Sequence, residues 1–91
     1  MQIDTRLGCI QGKALGNVQA FFGIRYGQAP IGDARFKSAV AAAPWTEAVY
    51  DATQARHSAI QPPPVEFLAS RSQRMNTNPT YDEDCLFLNV Y

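Results

Sequence analysis

The feature that most limits what this chain can fold into is its last stretch, Glu83-Asp84-Cys85-Leu86-Phe87-Leu88-Asn89-Val90-Tyr91. Two carboxylates lead into a nearly continuous apolar run from Cys85 to Tyr91. A run of this kind, without polar–apolar alternation, predicts a β-strand covered on both faces. Such a strand needs neighbours on both edges and layers above and below. The expectation is therefore a piece of an α/β sheet, cut off before the elements that would seal its most buried strand.

The rest of the chain predicts short strands and irregular loops. Gly8–Gly12 and Asn17–Phe22 are β-compatible, with Lys13–Gly16 as the connection between them. Gly23, inside a β-like run to Tyr26, marks a bulge or a close backbone approach. Ala29–Asp33 breaks regular structure. Ser38–Ala43 is Ala-rich, but six residues before Pro44 are too few for a helix. Trp45–Asp51 alternates like a half-buried strand, with Trp45, Glu47 and Val49 on one side. From Gln61 to Asp82 the chain reads as a long loop, opened by Pro62-Pro63-Pro64 and closed by turn residues; Val65–Met75 has the pattern of a helical turn or two.

Composition narrows the class. Eight basic residues balance eight acidic ones, so no basic face invites nucleic acid or an anionic membrane. No segment approaches the roughly 20 apolar residues of a membrane span. The two cysteines, Cys9 and Cys85, form neither a disulfide framework nor a metal spacing. With no leader pattern at Met1, the expectation is a cytoplasmic protein. The energetics of 91 residues are finely balanced. Ordering costs on the order of 140 kcal/mol, and apolar burial returns about the same. Independent folding is marginal.

The chain carries no recognisable catalytic residue. No Gly-x-Ser-x-Gly is present, so there is no nucleophile elbow. Gly8–Ala14 is one residue short of a phosphate loop and lacks the hydroxyl after Lys13. His57 beside Ser58 is not a base–nucleophile pair on adjacency alone, because hydrolase triads are assembled across a fold.

Several blocks in order carry a resemblance. Glu83–Tyr91 closely resembles the EDCLxLNV signature of type-B carboxylesterases, the family that includes cholinesterases. Phe22–Tyr26 resembles its FxGIPYA block, and Ala29–Gly32 with Arg35-Phe36 its PPxG…RF block. Pro44-Trp45 with Tyr50–Thr53 resembles PW…DAT, and Thr5-x-x-Gly8-x-x-x-Gly12 the opening TxxGxxxG. The resemblance covers essentially the whole chain and implies residues 1–91 as the N-terminal segment of a single α/β-hydrolase domain. It implies a serine esterase acting on a small ester without a cofactor. Its oxyanion loop, serine and acid–base pair would lie beyond Tyr91, in the remainder of the hydrolase chain. An alternative is a segment of a catalytically inactive adhesion relative of the neuroligin kind; a third is a self-standing β-rich module.

Site expectations follow from the same resemblance. Arg35 and Glu83 are expected to form a buried or half-buried bidentate ion pair with a structural role. The loop before the signature is expected to border the active-site mouth, with Phe67, Met75 or Tyr81 as lining. Met75 stands where cholinesterases carry a cation-binding Trp, which disfavours choline esters. Ala59 occupies the place of the cysteine that secreted members bridge to the signature cysteine, so Cys85 is expected reduced. Arg25 stands in place of a proline, read as a change that loosens the loop and removes no chemical group.

Overall fold

The computed structural model describes residues 1–62 and 80–91. Six strands form two three-stranded sheets: β1 (Gln2–Thr5), β2 (Gly8–Gln11), β3 (Lys13–Leu15), β4 (Val18–Arg25), β5 (Val49–Asp51) and β6 (Phe87–Val90). The orders are β1-β2-β5 and β3-β4-β6. A single 3-10 turn, Gly32–Ala34, is the one helical element among the described residues.

Two tight hairpins build the first half. Thr5 pairs with Gly8 across Arg6-Leu7, and the Thr5 hydroxyl closes the turn: it donates to the Gly8 carbonyl (2.7 Å) and accepts from the Leu7 N–H (3.1 Å). The second turn is tighter than the sequence predicted. Lys13–Leu15 is a strand rather than a connection, and the loop is Gly16-Asn17 alone, with Leu15 opposite Val18. Gly16 supplies φ 58° at the first loop position, the geometry that lets a two-residue hairpin follow the strand twist.

The chain then makes a long excursion and returns as β5, which runs parallel to β2 with Ile10 opposite Tyr50. The expected strand over Trp45–Asp51 is only three residues long, and its inward side chain is Tyr50, with Val49 exposed. Burial of the Tyr50 ring against Trp45 (centroids 4.6 Å apart) decides the facing. Ser38–Ala43 is extended, held by Gln28 N–H to Val40 (2.8 Å) and Ala42 N–H to Tyr26 (3.2 Å). Backbone bonds from Phe22 to Ala52 (2.7 Å) and from Ala52 to Gln11 (2.8 Å) knit the two sheets together. The core is small: Ile10, Phe21, Tyr50 and Ala52, flanked by Ile24 and Trp45.

The last strand forms within the expected apolar run but is shorter than Cys85–Tyr91. It begins at Phe87, pairs antiparallel with β4 along one edge, and leaves Leu88 and Val90 exposed at 41% and 48%. Among the described residues only β4 lies beside it. The apolar pattern predicted a strand whose cover is not supplied by this chain, and the exposure of Leu88 and Val90 agrees with it. No helix among the described residues is long and apolar enough to cross a membrane.

Candidate functional site

The residues that carry the signature converge on the start of β6, where two consecutive carboxylates each meet an arginine. Glu83 receives Arg35: Nε donates to Oε2 at 3.0 Å and an η nitrogen to Oε1 at 2.8 Å. The structure thus joins Arg35 and Glu83 in a fork. Their side chains remain 53% and 40% exposed.

Asp84 receives Arg25, through two parallel bonds of 2.7 Å. This pair is more sheltered, at 28% and 30% exposure. Arg25 also donates to the Gly27 carbonyl (3.3 Å) and lies 4.6 Å over the Phe87 ring. The bond from Arg25 holds the Asp84 carboxyl below its ordinary value; burial opposes this, and the positive charges of Arg25, His57 and Arg56 add to it. The same bond raises Arg25 against the cost of burial. The expectation that Arg25 merely loosens the loop is therefore corrected: it is the cation of the better-buried pair. The signal available in the sequence was the adjacency of two acids, with two arginines in the facing blocks.

On β4 itself, Gly23 is fixed on both sides. Its N–H donates to the Asn89 side-chain oxygen (2.9 Å), and its carbonyl accepts from the buried Tyr50 hydroxyl (2.6 Å). The register of β4 against β6 slips between Phe21 and Ile24, so Gly23 is the bulge the sequence predicted. With φ 64° and Gln54 O only 2.8 Å from where a Cβ would stand, no other residue fits without movement. Asn89, polar within an apolar run, has its reason here: it satisfies the donor the bulge leaves over.

Phe67 and Met75, expected to line the active-site mouth, lie outside the described residues. Tyr81 is 38% exposed and bridges Ser58 in parallel pairing, with Ser58 N–H on Thr80 (2.8 Å) and Asp82 N–H on Ser58 (3.0 Å). It marks the place where the two ends of the long loop meet. His57 shares a hydrogen bond of 2.8 Å between Nδ1 and the Thr80 hydroxyl, and no serine is joined to it among the described residues. Cys9 and Cys85 are unbridged. Among the described residues no cluster of three or more His, Cys, Asp or Glu could hold a metal. Both forks are two-point ion pairs, so this centre can fasten elements together.

Known proteins share this arrangement of blocks and strands. A model of the Carboxylesterase family matches residues 1–91. The chain is 36% identical to the cholinesterase of Mus musculus over 94 residues, 98% of this chain and 15% of that protein. It is 36% identical to carboxylesterase 3 of Homo sapiens over 99 residues, 99% of this chain and 17% of that protein. Among solved structures it is similar to a PNB esterase with a TM-score of 0.80 and 30% identity, covering 97% of this chain and 17% of that one. It is also similar to a thermophylic PNB esterase, with a TM-score of 0.79 and 29% identity, covering 97% of this chain and 17% of that one. The chain thus spans 15% to 17% of the length of these proteins, and the part it spans is mainly strands of their α/β-hydrolase fold. On sequence and structure together, the chain belongs to the carboxylesterase family.

Proposed function

We propose that these 91 residues are the N-terminal scaffold of a carboxylic-ester hydrolase, and that the serine, acid, base and oxyanion donors are supplied by residues outside them. The observation that carries the reading is the end-to-end match. Cholinesterases and carboxylesterases align along 98% to 99% of the chain, and a PNB esterase structure matches it with a TM-score of 0.80, covering 97% of the chain. The two forks account for Arg25, Arg35, Glu83 and Asp84, and the bulge accounts for Gly23, without assigning chemistry to them. The reaction would be acyl transfer to a serine, with an oxyanion stabilised by backbone donors. A choline ester is disfavoured as substrate, because Met75 rather than an aromatic residue occupies the sequence position of the cation-binding Trp of cholinesterases. The adhesion alternative is not favoured by the similar proteins named above, which carry the names of ester hydrolases. A reducing, cytoplasmic setting suits two unbridged cysteines.

The test is a substitution of segments. The expected result is that the 91-residue chain by itself turns over no p-nitrophenyl ester. Joined to PNB esterase in place of the part it matches, it should support turnover that a serine-directed inhibitor abolishes. Inhibitor-sensitive turnover by the 91 residues alone would defeat the scaffold reading.

A further inference from the structure

We draw no further inference here: the strongest candidate, the cavity of about 370 Å³ where Gln28, Trp45, Glu47 and Tyr50 meet, carries nothing, because its Arg25 wall belongs to the Asp84 fork already described and nothing in the structure shows what covers the rest.

Discussion

Two adjacent carboxylates sit in different electrostatic settings, and that difference has measurable consequences. Asp84 and Arg25 are each less than a third exposed and bonded by two parallel 2.7 Å contacts; Glu83 and Arg35 make equally good geometry in the open. A charge-assisted bond shielded from water is worth about 1.5–3 kcal/mol, an exposed pair up to about 1 kcal/mol. In the joined esterase, Asp84→Asn should therefore lower stability by about 2 kcal/mol and Glu83→Ala by less than half as much, read as denaturant midpoints. The pH dependence has a definite sign. The folded state holds the Asp84 carboxyl below its ordinary value of 3.8, so its contribution is complete above that value and is lost as the pH falls through the depressed one. Acid unfolding curves of the natural chain and Asp84→Asn should converge below about pH 4. Curves that stay parallel to the lowest pH would contradict the assignment. The Arg25–Asp84 contact spans 59 residues of chain, and the adjacency of the two acids does not by itself say which arginine meets which.

At the level of elements, the joint between β4 and β6 is set by one bulge. Gly23 offers its N–H to Asn89 and its carbonyl to Tyr50, so a single glycine couples β4 to both β6 and β5. Gly23→Ala forces a Cβ against Arg56 Cγ and to within 2.8 Å of the Gln54 carbonyl, at φ 64°. The loss should be at least about 3 kcal/mol, since backbone as well as side chain must shift. Gly16 is the matched control. It shares the positive φ but has nothing within 4 Å, so Gly16→Ala should cost only about 1 kcal/mol of backbone strain. Equal losses at the two positions, read as denaturant midpoints, would mean that crowding at Gly23 is unimportant. The bulge was legible in the sequence because a glycine inside a β-like run weakens the strand unless the backbone needs its freedom there. The extent of the hairpin loop was not, because Lys13–Leu15 has no strong strand preference until Val18–Ala20 lies opposite it.

The described residues together form a plate, 42 × 40 × 16 Å, thick enough for little more than one pair of packed layers. Its central cluster is Ile10, Phe21, Tyr50 and Ala52, while Leu88, Val90 and Tyr91 stay at the surface. Opening free energies should follow this distribution. In amide exchange of the 91-residue chain, Ile10 and Phe21 should be the slower positions and Leu88 and Val90 among the faster. Within the joined esterase, β6 should gain about a hundredfold or more in protection while β1 changes little. Protection of β6 in the isolated chain equal to that of β2 would show that the strand needs no further neighbour.

The amino-acid sequence by itself determined what depends on short range and on pattern. It specified the apolar strand behind Glu83-Asp84, the glycine bulge, the absence of a nucleophile elbow and the family blocks that match along the whole length. Tertiary structure alone decided which arginine shelters with which acid, and that Tyr50 rather than Val49 turns inward. The physical reason is the same in each case. Pattern and glycine placement act through neighbouring residues of the chain, whereas ion-pair partners, facing and exposure depend on what lies across a sheet or beyond its edge.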